Sequence, residues 1–186
     1  ARAITPAMAG LAAMKGKGWN LARAAVSAPS PTQLAEAPAD ANVGLHSMGQ
    51  IIFKSDARRA KDSSKFAVVG DGMQAEHVCD LLEQDWNLKR PSVLLSVTGS
   101  AATLQLTSTL QRVFDRGLAT AAAMTHAWIF TGGTDSGVMK LVGEAIHKYG
   151  LTDVPLVGIA PWGAVLGRGH LVGARGEEIP YRGGSA

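Results

Sequence analysis

The sequence predicts an α/β fold whose parallel sheet is covered by helices on both sides. From about residue 49 onward, short apolar runs alternate with stretches of helical periodicity, and the runs at 93–97 and 154–160 show no polar alternation. Strands that alternate with helices indicate βαβ units, and unbroken apolar strands are typical of sheets buried on both faces. A chain of 186 residues is long enough to form one such domain.

Each element follows from its local pattern. Short apolar runs predict strands at 50–53, 65–69, 93–97, 127–130 and 154–160. Apolar residues at three- and four-residue spacing predict helices at 74–86, 103–116 and 137–149. Residues 117–125 form either a second helix or a continuation after a break. The residues of the 103–116 helix expected to share one apolar face are Leu106, Leu110, Val113 and Phe114.

Composition divides the chain into two parts and excludes several functions. Residues 1–45 are predicted to be a flexible Ala/Pro-rich segment, and residues 46–182 the α/β domain. The net charge is only +3 and the basic residues are scattered, so no nucleic-acid partner is expected. The single cysteine, Cys79, excludes an internal disulfide framework and suits the reducing cytosol. No segment has the composition of a membrane span.

The most informative string is WIFTGGTDSGVMK at residues 128–140, which predicts a strand, a glycine-rich turn and a helix start. Such a turn directs backbone N–H groups and the positive end of a helix dipole at one point, which suits a phosphate. The residues predicted to form this phosphate cradle are Thr131, Gly132, Gly133, Thr134, Ser136 and Gly137. A tight turn that binds nothing is the alternative.

Two further turns follow predicted strands and should meet at the same sheet edge. Thr98, Gly99 and Ser100 form the expected second wall of the site. Trp162 and Gly163 follow the last strand, where Trp162 either stacks on a nucleobase or packs against the sheet. Arg168 is a candidate fork donor to a phosphate, although loop arginines are more often solvated. No catalytic residue is predicted, and no histidine pair has metal-ligand spacing.

Three strings carry a family resemblance: PSVLLSVTGS at 91–100, WIFTGGTDSGVMK at 128–140 and VGIAPWG at 157–163. In this order and spacing they closely resemble the cytosolic N-terminal homology region of melastatin-type TRP (TRPM) cation channels, over about residues 49–181. That region belongs to the SLOG superfamily. The resemblance implies a Rossmann-like three-layer fold of the SLOG type for residues 46–182. It also implies a domain that is incomplete at its C-terminus, because the second glycine loop of TRPM regions is missing.

The resemblance also implies a function. It points to a cytoplasmic ligand-sensing or assembly region that binds ADP-ribose or a related nucleotide without catalysis and needs no cofactor. Its other partners would be domains or subunits of a membrane-embedded homotetrameric channel whose pore lies outside this chain. Phosphoribohydrolases of the same superfamily share the first glycine turn, but their later catalytic loop has no counterpart here. A nucleotide hydrolase and a purely structural interaction module therefore stand as the two alternatives.

Overall fold

The computed structural model describes residues 9–14, 44–53, 63–70, 72–99 and 104–181. Seven strands form one sheet: β1 (Ala9–Met14), β2 (Leu45–Phe53), β3 (Ser63–Val69), β4 (Leu94–Ser96), β5 (Trp128–Thr131), β6 (Leu156–Pro161) and β7 (Glu178–Tyr181). The helices are α1 (Ala75–Asp80), which continues as a π-helical turn (Leu81–Asp85), α2 (Ser108–Thr125) and α3 (Gly137–Lys148). Short 3₁₀ turns follow β6 at Trp162–Ala164 and Arg168–His170.

The α/β class is confirmed, but the sheet is mixed and not wholly parallel. Its strand order is β4-β5-β6-β1-β3-β2-β7. The pairs β4–β5 and β5–β6 are parallel, as predicted. In contrast, β1 pairs antiparallel with both β6 and β3, and β2 pairs antiparallel with β3. At the far edge of the sheet, β2 and β7 form a third parallel pair. A parallel pair needs a crossover connection: single helices provide it between β4, β5 and β6, whereas β2 and β7 are joined through most of the domain.

The strand β1 differs from the prediction that residues 1–45 lie outside the domain. Ala9–Met14 lies between β6 and β3 in the middle of the sheet, so that Ala9 pairs with both Val69 and Pro161. Its sequence, AGLAAM, contains none of the β-branched or aromatic residues that usually mark strands. The rest of the predicted flexible segment, up to residue 43, falls outside the described residues.

Helices cover both faces of the sheet, which confirms the predicted three-layer arrangement. On one face, Trp128 and Val157 pack with the region of α1 and its π-helical turn, including Leu81, Leu82 and Trp86. On the other face, the alternating neighbours Ile129 and Leu156 pack against α2 and α3. A second cluster, Ile51, Phe66, Val68, Leu171 and Ile179, gathers around β2, β3 and β7. Burial on both faces explains the unbroken apolar pattern of β5 and β6.

Two expectations about burial are wrong, and both concern one side of the molecule. Leu110 and Val113 of α2 were expected to share one apolar face with Phe114, but they are 56% and 65% exposed, whereas Phe114 packs against the core. The strand β4 was expected to be buried on both faces, but its Leu94 is 62% exposed. The physical reason is that β4 is an edge strand. The helix itself runs unbroken through Gly117, so residues 117–125 continue the preceding helix.

Candidate functional site

The predicted phosphate cradle is a short turn between β5 and α3. Thr131 ends β5, and its Oγ1 accepts a hydrogen bond from the backbone N–H of Gly133 at 3.2 Å. The hydroxyls of Thr134 and Ser136 lie 3.1 Å apart and hydrogen-bond to each other. Ser136 is the extended N-cap residue of α3, and its side chain makes no capping hydrogen bond to the helix. The first backbone N–H groups of α3 are therefore not capped by this hydroxyl.

Glycine is required at two positions of this turn. Gly133 has φ +67° and Gly137 has φ +52°, in the left-handed region that favours glycine. At Gly133 an added Cβ would also lie 3.1 Å from the backbone of Gly158 in β6. The turn therefore rests directly on the neighbouring strand. Gly132 is less constrained, because a Cβ there would make ordinary contact with Met139, at 3.7 Å or more.

The second predicted wall lies next to the start of α3. An added Cβ at Gly99 would be 3.0 Å from Cγ1 of Val138, the second residue of that helix. Thr98 and Gly99 are both exposed. The structure therefore brings this loop and the β5–α3 turn together at the carboxyl ends of β4 and β5, where ligands bind in open α/β sheets. Ser100, the third residue of this wall, lies outside the described residues.

Two predicted ligand-binding residues after β6, Trp162 and Arg168, contact other residues of the chain. Trp162 is half-buried and packs against the cluster that contains Phe66 and Leu171. Of the two roles considered for Trp162, the observed contacts are those of packing against the sheet. Arg168 donates from Nη1 to the carbonyl oxygen of Gly163 at 3.5 Å, a long and weak hydrogen bond within the same loop. Both residues follow the carboxyl end of β6, and their ligand contacts remain predictions.

One pair of charged residues near the cradle, Lys140 and Glu144, lies on the surface. Lys140, one turn into α3, lies 3.9 Å from Glu144, and both side chains are about half exposed. Two raised pKa values lie elsewhere: the hydrogen bond that Arg90 donates to Glu83 raises the pKa of Arg90, and the hydrogen bond that Lys148 donates to Asp115 raises the pKa of Lys148. Within the described residues, no cluster of three or more His, Cys, Asp or Glu could hold a metal ion.

Two features of the structure, a buried carboxylate and an open groove, were not predicted from the sequence. Asp115 in α2 is buried, and its carboxylate accepts hydrogen bonds from Gln111 at 2.7 Å and from Lys148 of α3 at 2.8 Å. In the sequence it stands between Phe114 and Arg116 and looks like an ordinary surface carboxylate. The second feature is an open groove of about 540 Å³ away from the cradle, where Arg175 forms an ion pair with Asp85.

Comparison with known proteins identifies the family. The family model described as "SLOG in TRPM" matches residues 64–184. The chain is 42% identical over 111 residues to a transient receptor potential cation channel subfamily M member-like 2 protein of Nematostella vectensis, which covers 57% of this chain and 7% of the relative. It is 36% identical over 143 residues to subfamily M member 2 of Rattus norvegicus, covering 74% of this chain and 9% of the relative.

A third relative, the channel trpm of Drosophila melanogaster, is 36% identical over 135 residues, which cover 71% of this chain and 6% of the relative. The match to these three relatives thus spans only 6–9% of their length. Among the residues described, no helix is both long and apolar enough to cross a bilayer. With the family model matching well over half of its residues, the chain belongs to the SLOG family found in TRPM channels.

Proposed function

We propose that this chain is a ligand-sensing part of the cytosolic N-terminal region of a TRPM channel. It binds ADP-ribose or a related nucleotide through a phosphate group and breaks no bond in it. The observation that carries the proposal is the β5–α3 turn, in which Gly133 rests on β6 and α3 begins at Gly137 without a capping hydrogen bond from the Ser136 side chain. Backbone N–H groups and the helix dipole make such a turn suitable for an anion.

The energetics require more than this turn. A helix N-terminus contributes about 0.3–2 kcal/mol to binding a charge, and each hydrogen bond to a charged acceptor contributes about 1.5–3 kcal/mol. Micromolar affinity corresponds to about 8 kcal/mol. The adjacent loop at Thr98 and Gly99, packed close to Val138, is the nearest source of further contacts. Arg168 becomes another source if it exchanges its weak bond to Gly163 for a phosphate oxygen.

Binding of this kind acts on a channel by shifting its conformational equilibrium. A ligand changes that equilibrium only by the difference between its affinities for the two states. The half-buried turn lies on β6, so an ordered ligand also fixes the position of α3 relative to the sheet. The proposed setting is the cytosolic face of a homotetrameric cation channel. There, the change in the position of α3 is transmitted to the neighbouring domains and subunits.

The test is calorimetric titration of this chain and of the longer parent polypeptide with ADP-ribose, cyclic ADP-ribose, AMP and inorganic phosphate. A matched pair of variants, Ser136→Asp and Ser136→Asn, isolates the charge at the cradle. Asp and Asn are both good N-cap residues, so both variants should keep the stability of α3. Because its carboxylate repels a phosphate and competes for the same N–H groups, Ser136→Asp should weaken binding at least tenfold, whereas Ser136→Asn should bind nearly as the wild type.

Three results would count against the proposal. Failure of the parent polypeptide to bind any of these ligands leaves only the structural alternative. Equal binding by the Asp and Asn variants places the ligand away from this turn. Release of a free base or of ribose phosphate from AMP or ADP-ribose, followed by chromatography, contradicts the absence of catalysis and supports the hydrolase alternative.

A further inference from the structure

Ser92 stands in a charge pattern that no other hydroxyl residue of this chain shares. It follows Lys89 and Arg90 in the string LKRPSVLL at residues 88–95, and the apolar Val93 comes directly after it. Among the serines and threonines of the sequence, Ser92 alone has two basic residues within the three positions before it. The phosphate cradle makes no use of these residues.

The stretch around Ser92 is exposed and contains neither helix nor strand. Residues 87–93 connect the π-helical turn to β4. Lys89, Arg90 and Ser92 are exposed, and Pro91 is half-buried. The ring of a proline disfavours helical geometry for the residue before it, here Arg90. Exposed and irregular segments of this kind are the ones that a modifying enzyme can reach.

Trp128 holds this stretch at both ends without covering its middle. Its indole Nε1 donates to the carbonyl of Lys89 at 3.0 Å, and its backbone N–H donates to the carbonyl of Val93 at 3.1 Å. Both hydrogen bonds use carbonyl oxygens of the stretch, so the hydroxyl of Ser92 and the side chains of Lys89 and Arg90 take no part in them. The backbone is therefore held in place while these polar side chains stay accessible.

The present partner of Arg90 is one that another anion can replace. Nε of Arg90 donates to Oε1 of Glu83 at 3.0 Å, and Nη2 donates to Oε2 at 3.4 Å. The side chain of Arg90 is 79% exposed and that of Glu83 is 25% exposed. Exposed ion pairs contribute little to stability. The planar guanidinium group of arginine also matches a phosphate with two parallel hydrogen bonds.

We propose that Ser92 is a phosphorylation site for a kinase that selects basic residues before the acceptor serine, and that the phosphoserine then takes Arg90 from Glu83. In the transfer, a bond forms between Oγ of Ser92 and the γ-phosphorus of ATP, and the bond from that phosphorus to the β,γ-bridging oxygen breaks. ADP leaves, and the hydroxyl proton passes to the catalytic aspartate of the kinase. Carboxylates in the substrate cleft of the kinase pair with Lys89 and Arg90, since kinases choose substrates by such charge patterns.

The phosphate changes the charge balance beside the π-helical turn. A phosphoserine carries a charge of about −1.5 to −2 near neutral pH and presents three acceptor oxygens. It therefore attracts Arg90 more strongly than the single carboxylate of Glu83 does, and it repels that carboxylate. Once Arg90 has changed partner, the turn at Leu81–Asp85 loses this side-chain link to the stretch before β4.

Ser92 lies at the opposite end of the sheet from the cradle. It precedes β4, whereas the cradle follows β5, and these two strands run parallel. The modification of Ser92 does not depend on ligand binding at the cradle, so the two proposals can fail separately.

Incubation of the folded chain with Mg–ATP and the catalytic subunit of the cAMP-dependent protein kinase, which selects basic residues, tests the site. Peptide mapping should place phosphate on Ser92. Lys89→Gln should slow its incorporation at least tenfold, whereas Arg112→Gln, at an exposed arginine of α2, should not change the rate. A kinase that selects acidic residues should leave Ser92 unmodified.

Three results would overturn the site. They are absence of phosphate at Ser92, phosphate there only when urea is present, and equal rates for Lys89→Gln and Arg112→Gln. The longer parent polypeptide should be phosphorylated at the same serine, and phosphorylation of this chain alone would also overturn it.

Phosphorus NMR tests the change of partner at Arg90. Arg90→Lys keeps the positive charge that the kinase needs but loses the planar fork. The second proton dissociation constant of the phosphoserine should therefore be about twofold larger in the wild type than in Arg90→Lys. Glu83→Gln should increase it further, because a neutral amide neither repels the phosphate nor holds Arg90 as strongly. Equal dissociation constants in the wild type and Arg90→Lys would overturn the capture of Arg90.

Discussion

The two halves of the sheet are stabilised in different ways. The parallel half, β4 to β6 with α2 and α3, is packed by apolar side chains on both faces, with Ile129, Val142 and Val157 fully buried. In the largely antiparallel half, which comprises β1, β3, β2 and β7, polar side chains attach loops to strands. Ser47 donates its hydroxyl proton toward the carbonyls of Leu171 and Gly173, at 3.1 and 3.3 Å, and its oxygen accepts from the N–H of Gly173 at 2.9 Å.

This difference between apolar packing and polar contacts bears on where a phosphate could bind. A phosphate cradle needs backbone N–H groups that no protein side chain occupies. In the parallel half, the side chain of Ser136 makes no hydrogen bond to the start of α3, although the N–H of Gly133 donates to Oγ1 of Thr131. The antiparallel half uses its loop N–H groups for its own structure, as when Ala174 donates to Glu177 at 2.9 Å. A ligand site of this kind is therefore expected in the parallel half.

The largest expected effect is at the cradle. Gly133→Ala should lower the free energy of unfolding by about 1–3 kcal/mol, because an L-residue at φ +67° is strained and its Cβ would press on Gly158. Gly150→Ala is the matched control, since φ is +62° there but no atom lies within 4 Å of the added Cβ. Urea denaturation should show a smaller loss for Gly150→Ala, and phosphate affinity should fall only for Gly133→Ala. Equal losses would mean that the contact with β6 contributes nothing.

A somewhat smaller effect is expected in the antiparallel half. Ser47→Ala removes the hydroxyl that bonds to Leu171 and Gly173, which should cost about 1–2 kcal/mol because the N–H of Gly173 loses its partner. The exposed Ser96 of β4 provides the control, and Ser96→Ala should change stability by less than about 0.5 kcal/mol. Denaturant midpoints measure both. Similar midpoints for the two variants would contradict the idea that polar contacts such as those of Ser47 stabilise this half of the sheet.

The smallest effect is a pH dependence at the contact between α2 and α3. The hydrogen bond that Lys148 donates to the carboxylate of Asp115 raises the pKa of Lys148 above its ordinary value of 10.5. A raised pKa means that this stabilisation is fully present below pH 10.5 and is lost as the pH rises through the higher pKa of the folded state.

Urea midpoints at pH 8 and above pH 11 check this dependence. At pH 8 the urea midpoint of the wild type should exceed that of Lys148→Met. This difference between the two midpoints should be smaller above pH 11. Lys140→Met, which removes an exposed pair with Glu144 at 3.9 Å, should change the midpoint little at pH 8. A difference between the wild type and Lys148→Met that grows with pH would contradict the assignment.

The wrong predictions of burial concern residues whose exposure depends on neighbours that are distant in sequence. The turn after β5 was predicted correctly as strand, glycine turn and helix, because each of those features depends on residues close in sequence. Leu110 and Val113 were predicted from their spacing to share one apolar face with Phe114, yet both are exposed. Their exposure, like that of Leu94, depends on what packs beside α2 and β4, and periodicity carries no information about that neighbour.

The amino-acid sequence by itself determined the α/β class, the strand–turn–helix of the cradle and the family, because periodicity, glycine placement and long specific strings are local properties. Only the tertiary structure decided that β1 enters the sheet, that the sheet is mixed, and that Asp115 is buried against Lys148. These features join residues far apart in the chain, such as Ala9 and Pro161. The free energy of each such contact depends on the other surfaces that could pair with the same residues once the chain is compact. A short stretch of sequence carries no information about those alternatives.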